Sequence, residues 1–306
     1  MWQVLPSSEC ELGESPFWHP HERALYWLDI PGRAVLRTRG DIGAPSVERW
    51  ALPTEPGCMA PARSGGLVIA LRDGIYRARE WGGALQVLAT VDHDVRTMRF
   101  NDGKCDAQGR FWAGTINEAK DGATAALYCL DPSAGPAAAL VRMADGVTTA
   151  NGLAFLPSAR QLYWADTAAH VVRCWHWSPD TNVLAEPRVF RRFDDKPADW
   201  SAAAPGSYAG RPDGATLDAD GNYWVAMFEG AQLQQLASDG RTLAALALPA
   251  RCPTMPCFGG DDLRTLFVTT ARKGRPAQEL SQWPDSGSVM FQRVAQAGRP
   301  VDFFAG

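Results

Sequence analysis

The stretch RFNDGKCDAQGRFWAGT, residues 99–115, sets polar side chains (Arg99, Asn101, Asp102, Lys104) before a turn, Asp106-Ala107-Gln108-Gly109, and an apolar run, Phe111-Trp112-Ala113-Gly114, after it. Turn followed by a short apolar run rich in aromatic and β-branched residues reads as a buried strand. The same form returns as RALYWLDI (23–30), GGLVIAL (65–71), RQLYWADT (160–167), GNYWVAM (221–227) and RTLFVTTA (264–271). The strand centres Tyr26, Val68, Phe111, Tyr163, Tyr223 and Phe267 lie 42, 43, 52, 60 and 44 residues apart. No helical period is sustained between them. A repeat of roughly 40–45 residues made of strands and turns is the pattern of propeller blades. Six occurrences predict an all-β, six-bladed β-propeller over residues 1–306 as a single domain, with residues near Trp2–Leu5 lending a strand to the last blade. One long insertion, 192–211, is rich in Ala, Pro, Ser and Gly and reads as a loop.

The bulk composition fits this and narrows the partners. Of 306 residues 46% are hydrophobic, enough for a large core. Lys plus Arg number 30 against 34 Asp plus Glu, a net charge of −4, and no basic block occurs, which argues against nucleic acid. No run of 18 apolar residues suggests a membrane span. The N-terminal residues show neither the basic nor the apolar part of a signal peptide. The seven cysteines are scattered without a Cys-x-x-Cys pair, so the expectation is reduced thiols in a cytoplasmic protein.

The polar cluster before the turn acquires a meaning from the repeat. Counting back 10 to 12 residues from the strand centres reaches Glu14, Asn101, Asn151 and Asp213 in four blades. In the other two it reaches Gly57-Cys58 and Pro256-Cys257. Equivalent positions of a propeller point to one place on its axis, so four oxygen-bearing side chains should meet at one mouth of the channel, with Arg99 beside them. Two carboxylates and two amides crowded together repel and desolvate each other unless a cation joins them. Hard oxygen donors without imidazole or thiolate suit Ca²⁺ first, then Mg²⁺ or Mn²⁺, with Zn²⁺ or Fe²⁺ as alternatives. Taken singly, Asn151-Gly152 and Asp213-Gly214 are ordinary turn dipeptides and Glu14 is an ordinary loop charge. Their shared phase is what lifts them above that reading.

Other candidates carry less. His19 and His21, in HPHERAL, are expected to be exposed, and His170 and His176, in HVVRCWHW, to decorate a strand. By phase Cys257 faces the channel as a small apolar group, and with Cys252 it would cross-link only under oxidation. There is no Gly-x-Ser-x-Gly elbow for a serine hydrolase and no phosphate-binding glycine loop.

Six segments together, GESPFW, LYWLDI, RFNDGKCDAQGRFWAGT, NGLAFLPSARQLYWADT, PDGATLDADGNYWVAM and CFGGDDLRTLFVTTA, resemble the gluconolactonase / senescence marker protein / luciferin-regenerating enzyme family, in order and over almost the whole chain. The resemblance implies a six-bladed propeller that hydrolyses sugar lactones with one divalent metal in its channel. It implies Glu14, Asn151 and Asp213 as metal ligands and Asp213 as the group that accepts a proton from the attacking water. It further implies Arg99 and Asn101 as substrate-binding residues, and Glu118, shortly after AGT, as a third. The chain departs from the family at MFEGAQLQQL (227–236), which bears on specificity. Two rivals remain beside the sugar lactonase reading. One is a calcium-binding or regulatory propeller without turnover; the other is a related metal-dependent hydrolase of aryl esters or phosphotriesters.

Overall fold

A computed structural model of the chain describes residues 1–40, 45–135, 140–202 and 206–306. It contains six four-stranded antiparallel sheets, each a meander. Blades 1 to 5 begin with Gly13–His19, Pro56–Pro61, Met98–Cys105, Ala150–Leu156 and Arg211–Leu217, and each runs through three further strands in chain order. Blade 6 joins Pro253–Gly259, Thr265–Thr270 and Met290–Arg293 to Gln3–Val4. Gln3 pairs with Phe291 and Val4 with Met290, so both ends of the chain build the closing sheet.

The first strand of every blade touches the first strands of its two neighbours, which closes a ring around a central channel. Burial falls outward from that ring. Blade 1 is fully buried along Gly13–His19 and largely exposed along its last strand, Ser46–Ala51.

The aromatic-rich strands that marked the repeat explain how blades adhere. Successive side chains of a strand point to opposite faces, and a sheet covered on both sides reads as a continuous apolar run. Tyr26 accordingly packs toward blade 2, with Met59 and Ile69, while Trp27 packs toward blade 6, with Phe267 and Phe291. Phe111 joins the cluster between blades 2 and 3, and Trp112 the one between blades 3 and 4. Tyr163 and Tyr223 share the cluster between blades 4 and 5, and Trp224 lies between blades 5 and 6. Every interface is built from alternate residues of the same short strands. This is why a chain of short β elements forms one body.

The turns also repeat. Asp106 and Asp218, each six residues before a Trp, are fully buried. Asp106 accepts from the backbone N–H groups of Gln108 and Arg110, from Arg110 Nε (2.6 Å) and from Trp112 Nε1 (2.8 Å). Asp218 accepts from the N–H groups of Asp220 and Asn222, and from Trp224 Nε1 and Gln235 Nε2, both at 2.9 Å. Each carboxylate thus ties its turn to the strand that follows, and Asp218 reaches the next strand as well.

The expectations for His19 and His170 are corrected. His19 is buried: its Nδ1 accepts the Glu22 N–H (3.1 Å) and its ring meets Phe303 edge-on. The C-terminal segment that covers it leaves no sequence signal at His19. His170 lies in the turn before the strand Val171–Ser178, at φ 53°, with Nδ1 2.8 Å from the Asp194 carbonyl oxygen; His176 is in the strand. All seven cysteines are buried and unpaired, Cys252 and Cys257 among them. In the insertion, residues 203–205 lie outside the described residues; around them Trp200 and Tyr208 pack edge to face.

Candidate functional site

The first strand of each blade has one irregularity, and the polar side chains sit on it. Pairing shifts between Glu14 and Phe17, Phe100 and Gly103, Asn151 and Ala154, and Pro212 and Ala215. A bulge re-aims the side chains beside it. Glu14, Asn101, Asn151 and Asp213 therefore line one cavity at one end of the channel, together with Arg99. The two remaining blades carry their shifts at Pro56/Cys58 and Pro253/Met255. In blade 2 the position is Gly57, where a Cβ would stand 2.4 Å from the Phe100 carbonyl, against the strand that delivers Asn101. In blade 6 it is Thr254, whose hydroxyl donates to the Gly13 carbonyl (2.6 Å) and so fixes the backbone before Glu14.

This corrects the phase assignment of Pro256-Cys257. Cys257 pairs with Phe267, beyond the shift, and lines a second cavity further along the channel with Lys104 and Asp302. A fixed count drifts because the turns between first and second strands differ in length.

A chain of donated hydrogen bonds crosses three blades. Arg99 Nη1 donates to Asn101 Oδ1 (2.9 Å), and Asn101 Nδ2 donates to Asn151 Oδ1 (3.0 Å). Asn151 Nδ2 donates to Thr167 Oγ1 (2.8 Å), whose hydroxyl donates to the Pro212 carbonyl (2.7 Å), next to Asp213. The order fixes which atoms do what. With its Nδ2 committed to Thr167, Asn151 turns its oxygen toward Asn101 and keeps a lone pair on it.

The carboxylates are not matched in this way. Among the described residues neither Glu14 nor Asp213 has an ion-pair partner, and Glu14 accepts the Ser15 N–H at 3.2 Å. Asp102 accepts the Leu153 N–H (2.9 Å) through Oδ2, while its Oδ1 is buried without a hydrogen bond. Burial, then the charges of Asp213 and Asp102, hold the Glu14 carboxyl well above its ordinary range. Burial and Asp102 push Asp213 up to about 8, against the pull of Arg211 and Lys120. Acids this desolvated and mutually repelling lack a counter-charge. A hard divalent cation fits that donor set: two carboxylates and an amide oxygen, with room for water or substrate oxygens. No group of three His, Cys, Asp or Glu side chains of metal-binding kind occurs among the described residues, so any such site depends on the amide.

Glu118 stands differently. Its carboxylate lies 3.4 Å from Arg99 Nε and 2.8 Å from Arg72 Nη1, and it does not line the cavity. Residues that the sequence reading passed over do line it: Lys120, Thr149, Thr167, Arg211 and Lys273. They belong to turns and strand ends, which differ from blade to blade, so the repeat gave them no phase. Asp102 was visible beside Asn101 but carried no separate role.

Residues 12–272 match the model of the SMP-30/Gluconolactonase/LRE-like region. The chain belongs to this family. Among curated relatives, the SMP-30/gluconolactonase chain is 39% identical to 6-deoxy-6-sulfogluconolactonase of Pseudomonas putida, over 96% of its own length and 95% of the relative's. It is 30% identical to human regucalcin, over 94% and 91% of the two chains. Among solved structures it is similar to a calcium-binding protein, regucalcin, of Agrobacterium tumefaciens, with TM-score 0.87 and 22% identity, covering 100% of this chain and 98% of that one. A gluconolactonase of Xanthomonas campestris superposes with TM-score 0.71 at 22% identity, over 95% and 89%. At those identities the structures speak for the six-bladed fold.

Proposed function

We propose that the protein hydrolyses a sugar aldonolactone to the aldonic acid, using one divalent cation held by Glu14, Asn151 and Asp213. The observation that carries this is the unmatched pair of buried carboxylates, Glu14 and Asp213, facing the hydrogen-bond chain Arg99–Asn101–Asn151 across one cavity. Membership of a family that includes sugar lactonases supports it, and the Pseudomonas relative is named for a gluconolactone bearing a sulfonate.

A cation bound there would polarise the lactone carbonyl and stabilise the oxyanion that develops on it. The chain's own groups supply the rest. Arg99, held by Glu118 and Asn101, keeps Nη2 free of protein partners among the described residues and offers it to ring hydroxyls. Asn101 is spent on Asn151 and Ala150, so its contribution is to orient the ligand amide. Fixing a polyhydroxylated ring in this way lowers the entropic part of the barrier. Asp213 accepts the proton of the attacking water and returns it to the ring oxygen as the lactone C–O bond breaks, leaving the aldonic acid and a free hydroxyl.

The test is a pH-indicator assay over several aldonolactones, including a sulfonated one, with spontaneous opening subtracted. Chelated protein should fall to the background rate, and Ca²⁺, Mg²⁺, Mn²⁺ or Zn²⁺ should restore turnover. Stoichiometric cation binding without turnover of any lactone would instead establish the regulatory reading. Preference for an aryl ester or phosphotriester would establish the third. Full activity after complete chelation would remove the cation from the mechanism.

A further inference from the structure

The charge around the cavity is out of character with the protein. The whole chain carries −4, yet four cations, Arg99, Lys120, Arg211 and Lys273, line this cavity against two carboxylates, Glu14 and Asp213. Arg99 is neutralised by Glu118. The other three are not. Arg211 reaches Glu229 through one contact of 3.4 Å, but Glu229 is already shared with Lys196 (2.9 Å) and Arg275 (3.0 Å). The Arg211 Nε is buried without a hydrogen bond, and its guanidinium lies over the Phe228 ring, 5.3 Å from the centroid. Stacking of this kind fixes a planar cation in place while leaving its N–H edge available. Lys120 and Lys273 are exposed and, among the described residues, neither ammonium has a hydrogen-bond or ion-pair partner. Lys120 is held at φ 57° on a turn fixed by its own N–H to the Asn117 carbonyl, and it lies close enough to Arg211 to feel its charge. Asp213 lies near enough to Arg211 and Lys120 to feel their charges, but once that carboxylate and Glu14 are turned to a divalent cation the three cations keep a surplus of positive charge that suits an anion.

We propose that Arg211, Lys120 and Lys273 form a subsite for a tetrahedral oxyanion, a sulfonate or a phosphate, carried by the substrate lactone at a carbon remote from the reacting carbonyl. This rests on the lactonase reading for the chemistry, but not for the binding. The subsite adds a second anchor to a ring otherwise held by Arg99. A lactone without the anion leaves the buried Arg211 Nε unpaired and forgoes the attraction of two exposed ammonium groups, so selectivity draws on both.

The experiment compares kcat/KM for 6-deoxy-6-sulfogluconolactone, 6-phosphogluconolactone and unsubstituted gluconolactone in wild type, Lys273→Glu and Arg211→Met. Calorimetry of the open-chain 6-deoxy-6-sulfogluconate against gluconate gives a second readout that needs no turnover. Wild type should favour at least one oxyanion lactone over gluconolactone by roughly 100-fold, mainly through KM, and the advantage should shrink as salt rises. The better of the two identifies the oxyanion. Lys273→Glu should cut the preference about tenfold or more; the side chain is exposed, so the fold is not at stake. Equal kcat/KM for charged and uncharged lactones, or an unchanged preference in both variants, overturns the subsite while leaving the lactonase standing. Tight binding of the sulfonate by wild type and not by the variants, with no lactone turned over, overturns the lactonase and keeps the subsite.

Discussion

At the scale of single residues, the proposed mechanism gives Asp213 two tasks, cation ligand and base, that one substitution separates. In the cation-free protein its carboxyl sits near pH 8 because burial and Asp102 disfavour the charge. A cation must displace that proton, so affinity should fall as pH drops below about 8, with proton release on binding measurable by calorimetry in buffers of different ionisation heat. The sign also runs through stability. The folded state binds this proton more tightly than the unfolded chain, so cation-free protein should lose stability as pH rises from about 4 to 8. Asp213→Asn should flatten both dependences and, saturated with cation, run about 10²–10⁴-fold slower. Near wild-type kcat in that saturated variant would reduce Asp213 to a ligand. Glu14, Asn151 and Asp213 could be found in the sequence because repetition gave them a phase. Arg211 and Lys273 could not, because turn residues follow no repeat and only the folded cavity shows that they face it.

At the scale of the element, the blade is a meander whose turns are held by single buried carboxylates. Asp218 accepts hydrogen bonds from its turn, from Trp224 and from Gln235. Asp218→Ala would strand those donors in a dry interior, at a cost on the order of 3 kcal/mol or more. Denaturant unfolding should show this as a lower midpoint. Cation affinity should hold, since Asp218 lies at the far end of the strand Arg211–Leu217 from Asp213. An equal loss of cation binding would mean that the turn and the bulge move as one. The strands themselves were legible as aromatic runs between turns. The bulges were not, because an extra residue in a ladder leaves no mark until the pairing is known. The count that reached Glu14 and Asn151 stops short at Cys257 in blade 6, where a turn one residue longer puts Thr254 13 residues before Phe267.

At the scale of the molecule, ring closure rests on a short pairing. Gln3 and Val4 complete the sixth sheet, Leu5 N–H donates to the Val289 carbonyl (2.8 Å), and Trp2 Nε1 donates to the Ala247 carbonyl (2.7 Å). Deleting residues 1–5 should lower the melting temperature by several degrees or more and expose the outer edge of blade 6. A melt unchanged by the deletion would show that the six inter-blade clusters close the ring unaided. The number of blades was readable because each blade repeats the strand that packs both neighbours, and closure was readable from the leftover strand at Trp2–Leu5. The same closing sheet sets a timetable for synthesis. At about 5–20 residues per second, the first blade leaves the ribosome well before Phe267 and Phe291 exist to cover Trp18 and Trp27. For that interval a nascent chain shows an uncovered aromatic face, the kind of surface that holdase chaperones bind, and silent codon changes that slow translation between blades 1 and 6 would lengthen the exposure without altering one residue of the finished protein.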